Sequence, residues 1–220
     1  MGCFFNNFLP GAIGGDAVKA YYLYKDTGKG GSSVGSVFMD RYIGFFALLF
    51  IGMLSGLFAL RELNVVGMQW ITPSLFVAFL AGSLVFFRMR IGGRFSSITA
   101  FYDYFHDCLR EKRMLAMTFS LSIVIQLLSI LMVYLIALGM GQKPSFTALF
   151  VFVPIITTIS MIPLSISGLG IRESAYVVLF GLTGIPAEAS TSISFLWFLS
   201  ITATSLAGFV EFLRFKRALP

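Results

Sequence analysis

Two short segments of the chain combine residues that break helices with residues that bind charged groups. Each has a proline, then glycines, then an acid and a base: Pro10, Gly14, Gly15, Asp16 and Lys19 in the first, and Pro163, Ser165, Gly168, Gly170, Arg172 and Glu173 in the second. Proline removes a backbone donor and glycine accepts left-handed dihedral angles, so each segment is predicted to interrupt a helix. Amides at the start of the following helix, next to a cation, form a natural site for a phosphate.

The rest of the chain is strongly apolar. Of its 220 residues, 57% are hydrophobic and 12% are charged, against about 25% charged in a typical soluble domain. Five stretches carry no charge at all: 42–60, 63–87, 114–142, 144–171 and 189–210. Because about 20 apolar residues cross the hydrocarbon core as a helix, the sequence predicts an all-α, polytopic transmembrane helical bundle.

The predicted spans follow these uncharged stretches. They are 42–60, 68–87, 115–138 and 189–212, with a further apolar helix at 146–163 that Pro154 and Pro163 interrupt and a short apolar run at 172–182. The region 146–184 either crosses the bilayer twice or enters and returns, and the sequence leaves both open. Between the second and third spans, Ile98, Phe101, Phe105 and Leu109 recur at helical spacing, which predicts an amphipathic helix in the headgroup region.

The two broken segments have a functional and a plain interpretation. Irregular backbone at membrane depth survives only where it is buried in protein or lines a wet cavity, and paired interruptions in two halves of a chain point to a transporter binding site. The plain interpretation is two interfacial loops with solvated charges. Asp40 and Arg41 likewise form either an N-cap and a headgroup-facing charge or a lock against the broken segments.

The positions of the basic residues predict an orientation. Thirteen of the sixteen Lys and Arg residues lie in 19–41, 88–113 and 214–217, which alternation across the spans puts on one side. The positive-inside rule makes that side cytoplasmic, so we expect a multi-pass protein of the cell membrane with a cytoplasmic C-terminus. Basic residues in loops between spans also argue against a nucleic-acid partner. Cys3, Cys108 and His106 are isolated, so no metal, cofactor or catalytic group is predicted.

Three motifs resemble signatures of one family. Residues 4–11 (Phe-Phe-Asn-Asn-Phe-Leu-Pro-Gly) with 14–21 (Gly-Gly-Asp-Ala-Val-Lys-Ala-Tyr) resemble the first signature of the flippase-like family, also called the lysylphosphatidylglycerol synthase transmembrane region. Residues 40–44 resemble its Asp-Arg helix start, and 162–173 its late signature. Lys19 replaces a common arginine and Ser167 a common glycine. Members usually have further helices before the first signature, so the chain is interpreted as an N-terminally truncated member.

The resemblance implies one membrane domain, residues 1–220, that handles polar lipids. In the multiple peptide resistance factors, this domain is associated with moving aminoacylated phosphatidylglycerol between leaflets, while a separate soluble domain performs the aminoacyl transfer. No such soluble domain is visible here, so the chain is predicted not to be an enzyme. The predicted lipid-binding residues are Asn6, Pro10, Gly14, Gly15, Asp16, Lys19, Asp40, Arg41, Pro163, Ser165, Gly168, Gly170, Arg172 and Glu173.

In the predicted mechanism, Arg172 and Lys19 hold a headgroup phosphate of an anionic or lipid-linked substrate. Asp16 and Glu173 hold a cationic group or orient the two bases. No ATP site is visible, so movement is passive or coupled to an ion gradient. Two alternatives stay open: a membrane-embedded transferase acting on a lipid-linked donor through Asp16 or Glu173, and a membrane anchor or partner subunit for a separate synthase or glycosyltransferase.

Overall fold

A computed structural model describes residues 14–28, 30–58, 67–89, 96–161 and 168–217. These residues form helices and turns, without a strand among them. The helices are α1 (Gly14–Thr27), α2 (Gly30–Phe58), α3 (Met68–Met89), α4 (Ser96–Arg110), α5 (Lys112–Gly139), α6 (Phe146–Ser160), α7 (Ile171–Gly181) and α8 (Ala187–Arg217). The chain divides into two compact units, one formed by residues 20–129 and the other by residues 1–19 with 130–220.

Among the residues that the structure describes, four helices are long and apolar enough to cross a membrane. The spans are Gly30–Phe58, Trp70–Arg88, Lys112–Gly139 and Ala187–Leu206, and Phe146–Ser160 is a shorter apolar helix. Each corresponds to a stretch that the sequence marked as uncharged and apolar. The prediction of a polytopic helical membrane bundle is therefore confirmed.

Helix α2 begins twelve residues before the predicted start of the first span. The glycine- and serine-rich residues 30–36 look like a connection in the sequence, yet they are helical. Asp40 and Arg41 consequently lie inside α2, so the prediction that Asp40 caps the start of this helix is wrong. At 29 residues, α2 is about 44 Å long, which exceeds the roughly 30 Å hydrocarbon core and lets one end project from it.

In the unit formed by residues 20–129, α2 packs against both α3 and α4. An aromatic cluster joins these helices to α5, and its members are Tyr42, Phe46, Phe79, Phe87, Phe105 and Phe119. Helix α4 forms as predicted, but Phe105 and Cys108 are buried against Met39 and Ile43 of α2. On the predicted apolar face, Phe105 is thus covered by protein, where the sequence predicted lipid, whereas Leu109 is 45% exposed.

One polar contact holds α2 to α3. The hydroxyl of Thr72 is fully buried and donates a hydrogen bond to the Gly52 carbonyl at 2.7 Å. We expect Thr72→Val, which keeps the shape and removes the donor, to destabilise the protein by about 0.6–1.7 kcal/mol. Unfolding in mixtures of SDS and mild detergent measures this change in the free energy of unfolding. Thr118→Val is the matched control, because Thr118 donates only to Met114 of its own helix, and equal losses for both variants would contradict the prediction.

In the unit that contains residues 130–217, α7 packs against both α6 and α8. Phe152 of α6 and Tyr176 and Phe180 of α7 are fully buried, and the rings of Tyr176 and Phe180 stack at 5.2 Å. The predicted interruption of α6 at Pro154 is wrong, since α6 continues through this residue to Ser160. Proline inside a helix removes one hydrogen bond, and the close packing of the buried residues 151–156 compensates for that loss.

The two predicted breaks have different outcomes. The second is confirmed by the described residues on either side of it, because α6 ends at Ser160 and the left-handed Gly168 and Gly170 precede the start of α7 at Ile171. Residues 162–167 lie outside the described residues. In the first, Gly14 and Gly15 form the opening turn of α1. Because residues 1–13 lie outside the described residues, a helix break in this segment stays a prediction.

Candidate functional site

The start of α7 is shaped by two glycines with left-handed backbone. Gly168 has φ 73° and Gly170 has φ 87°, angles that other residues adopt only with strain. A Cβ on Gly168 would also lie 3.3 Å from the Cβ of Ser160. These glycines turn the chain tightly past the end of α6, and they place Arg172 and Glu173 in the first turn of α7.

Arg172 points its charge into the protein. The residue is 4% exposed, and its guanidinium donates from Nη2 to Glu173 Oε1 at 3.0 Å and from Nε to Ser194 Oγ at 3.2 Å. The guanidinium carbon also lies 5.3 Å from the ring centre of Trp197 and 5.0 Å from that of Phe198. A buried charge needs such compensation, because desolvation costs several kcal/mol per ion, and ring faces add a cation–π attraction.

Glu173 both pairs with Arg172 and caps helix α7. Its Oε1 accepts from Arg172 and from the Ser194 hydroxyl, the latter at 3.2 Å. Its Oε2 accepts from the backbone N–H of Gly170, so that the side chain caps the helix that it belongs to. Both carboxylate oxygens are therefore engaged by donors that are held in place by α7 and α8.

Sequence reasoning did not identify the α8 side of this arrangement. Ser194, Trp197 and Phe198 are spaced three and four residues apart, which puts them on one face of the helix. The signal was therefore present as a serine and two aromatic residues at helical spacing. The sequence could not say that this face meets Arg172, which lies 22 residues before Ser194.

An open groove of about 750 Å³ runs beside the ion pair. Its described lining is Leu169, Gly170, Glu173, Thr191, Ser192, Phe195 and Leu196. Glu173 is the ionisable member of this lining, while Arg172 lies behind it. The groove thus combines an apolar wall from α8 with a polar end where the helix α7 begins.

The arrangement is suited to binding an anion. A guanidinium, a hydroxyl and a backbone N–H at a helix start are the donors that proteins use for carboxylates and phosphates. Within the described ranges, no three His, Cys, Asp or Glu residues come close enough together to hold a metal ion.

The other predicted site residues fall into three groups. Asp16 and Lys19 lie on α1, where both are half-buried. Asp40 and Arg41 lie on α2, in the unit formed by residues 20–129, and so are not part of the compact unit that holds Arg172. Four predicted residues lie outside the described residues: Asn6, Pro10, Pro163 and Ser165.

The chain has recognisable relatives. Residues 1–208 match the family described as the lysylphosphatidylglycerol synthase TM region. Two UPF0104 membrane proteins of Methanothermobacter thermautotrophicus are each 26% identical to it, over 84% and 87% of this chain. A UPF0104 membrane protein of Pyrococcus horikoshii is 26% identical over 89% of the chain. No solved structure matches the chain significantly.

These matches differ in how much of each protein they include. The chain spans 63%, 66% and 69% of the lengths of the three relatives. The family match runs through both compact units, and the prediction of a single domain over 1–220 stays a prediction. Since the match includes nearly the whole chain, the protein is a multi-helix membrane protein that belongs to the lysylphosphatidylglycerol synthase transmembrane-region family.

Proposed function

We propose that this protein binds the phosphate-bearing headgroup of a membrane lipid and helps that headgroup to cross between leaflets. The observation that carries the proposal is the buried Arg172, held by Glu173 and Ser194 at the start of a helix beside an open groove. Membership of a family named after a lipid synthase supports a lipid as the ligand.

Burial and charge support a binding role for Arg172. Charged groups inside membrane proteins are expensive, and they are found mainly where ions or substrates bind. Replacing a buried ion pair by apolar residues is often neutral or stabilising, so stability alone is a weak reason to keep Arg172 and Glu173. Binding of a phosphate ligand accounts for the presence of this ion pair.

The lining of the groove supports a lipid as the molecule that carries the phosphate. Leu169, Phe195 and Leu196 give it an apolar wall, and Thr191 and Ser192 add hydroxyls near Glu173. A molecule with a polar head and an apolar body fits a surface of this mixed character. Asp16 and Lys19 belong to the proposal as additional headgroup contacts, together with the residues of the two signature segments. Lipid contacts of Asp40 and Arg41 stay a prediction.

The proposal includes a location and a mode of action. The C-terminus and the basic segments 19–41 and 88–113 lie on the cytoplasmic side of the cell membrane in this proposal, which is based on the distribution of Lys and Arg. The protein moves lipid without catalysing a reaction itself, and a separate synthase or glycosyltransferase supplies the lipid.

Filling the groove tests the proposal without touching the ion pair. Thr191 is exposed on α8 and lines the groove, so a tryptophan there occupies the space that a lipid needs. We expect Thr191→Trp to slow movement of labelled phosphatidylglycerol across proteoliposome membranes about tenfold, which corresponds to roughly 1.4 kcal/mol. Dithionite quenching of the label in the outer leaflet measures the rate.

Leu199→Trp is the matched control, because Leu199 is also exposed on α8 but does not line the groove. Both variants must be folded, as shown by their elution and melting in detergent. If Thr191→Trp and Leu199→Trp move lipid as fast as the unaltered chain does, the groove is not the lipid site. Formation of a new lipid product from a labelled donor would instead favour a transferase.

A further inference from the structure

The Glu173 carboxylate is bound as a ligand anion would be. Three donors converge on its two oxygens: the N–H of Gly170 on Oε2, and Arg172 Nη2 and the Ser194 hydroxyl on Oε1. Two of these donors come from buried residues, since Ser194 is 0% exposed and Arg172 is 4% exposed. The protein therefore has a formed anion site, and one of its own side chains fills it.

The groove reaches this site from the side of Glu173. Glu173 lines the groove and its side chain is 21% exposed, whereas the Arg172 side chain is 5% exposed and lies behind it. An anion that enters the groove meets a carboxylate before it meets the guanidinium. Like charges repel, so Glu173 in its present position opposes the approach of a phosphate to Arg172.

We propose that Glu173 is an exchangeable internal counter-ion, and that a phosphate group takes its place on Gly170, Arg172 and Ser194. This inference rests on the proposed function and adds to it how the site opens and that the Ser194 hydroxyl is one of the phosphate's donors. The phosphate displaces the carboxylate into the groove mouth, and the carboxylate returns when the phosphate leaves. The exchange keeps Arg172 compensated at each stage, which avoids the cost of an unpaired buried charge.

The contacts of the two side chains indicate which of them moves. Arg172 is held from α8 by Ser194 and by the rings of Trp197 and Phe198. Glu173 has no such enclosure on its groove side, where it borders open space. The guanidinium is thus the fixed partner, and the carboxylate is the one that can swing away.

Glu173→Gln separates the charge from the helix cap. Glutamine still accepts the Gly170 N–H, as it does in capping boxes, but it no longer competes as an anion. We expect the variant to bind a phosphate group about tenfold or more tightly than the unaltered chain, because an opposing charge a few ångströms away is gone. Calorimetry on protein in nanodiscs of zwitterionic lipid measures this, with inorganic phosphate and dihexanoyl-phosphatidylglycerol as the two probes.

Four further variants complete the experiment, one of them as a replacement for Glu173→Gln. Glu188→Gln is the control, because Glu188 is an exposed acid in the first turn of α8, and its affinity is expected to stay unchanged. In the Glu173→Gln background, Ser194→Ala is expected to lower the affinity and Ser194→Thr to retain it. If Glu173→Gln does not fold, Glu173→Asp replaces it, and its shorter carboxylate is expected to give an intermediate affinity.

The possible outcomes distinguish a failure of the exchange from a failure of the proposed function. Equal or weaker phosphate binding by Glu173→Gln overturns the exchange, and the proposed function still stands if Thr191→Trp slows lipid movement. A gain for both probes supports the exchange at a lipid phosphate. A gain for inorganic phosphate alone overturns the assignment of the site to a lipid headgroup.

Discussion

Arg172→Ala is expected to lower the free energy of unfolding by about 3–5 kcal/mol, the usual cost of removing one member of a buried ion pair. The variant loses the bonds to Glu173 and Ser194 and the contacts with Trp197 and Phe198. It also leaves the Glu173 carboxylate without its cation. Unfolding in mixtures of SDS and mild detergent measures the loss.

Lys143→Ala is the matched control for Arg172→Ala. Lys143 is an exposed cation in the turn between α5 and α6, so its removal is expected to change stability by less than about 0.5 kcal/mol. If Arg172→Ala costs no more than Lys143→Ala, the guanidinium does not hold α7 to α8 in the membrane.

The double change Arg172→Met with Glu173→Gln extends this prediction. It removes both charges and keeps much of the volume, so a large part of the stability should return. A double variant that is stable yet no longer moves lipid would indicate that the ion pair is kept for binding. A double variant that moves lipid normally would contradict the proposed function.

Gly35→Ala is expected to destabilise the protein by about 1–3 kcal/mol, the range for inserting atoms into a packed contact. A Cβ on Gly35 would lie 2.7 Å from Cδ1 of Tyr104 and 3.2 Å from its Cγ. These atoms are close to the backbone of α4, so the ring cannot easily rotate aside. The added methyl group must push α4 away from α2.

Labelling of Cys108 reports this displacement. Cys108 lies on α4 and is 5% exposed, so a maleimide should react with it faster in Gly35→Ala, in a Cys3→Ser background. Gly44→Ala on the same helix is the control, because a Cβ at Gly44 meets nothing within 4 Å. Similar labelling and stability for both variants would show that α2 and α4 are not closely packed at Gly35.

The positions of the apolar spans were predictable from local sequence. A helix crosses the bilayer when about 20 successive residues are apolar and uncharged, and this property is read directly along the chain. The spans around α2, α3, α5 and α8 were therefore predicted, as was the break between α6 and α7 at the glycines before Arg172.

Errors arose where distant packing overrides local preference. Residues 30–36 are rich in glycine and serine, which favour loops in isolation. They are nevertheless helical, and Ser33 and Gly35 among them are buried by tertiary packing, with Gly35 close to Tyr104 of α4. Pro154 likewise stays within α6, where its neighbours are buried on several sides.

For the site, the local sequence was enough to predict which residues carry charge at the start of α7, and that a helix begins there after a glycine turn. It was not enough to predict that Arg172 faces inward, that Glu173 lines the groove, or that Ser194, Trp197 and Phe198 surround the guanidinium. The difference arises because charge and apolar length are local properties of the chain. The direction of a side chain at a helix start depends on which face of another helix packs against it.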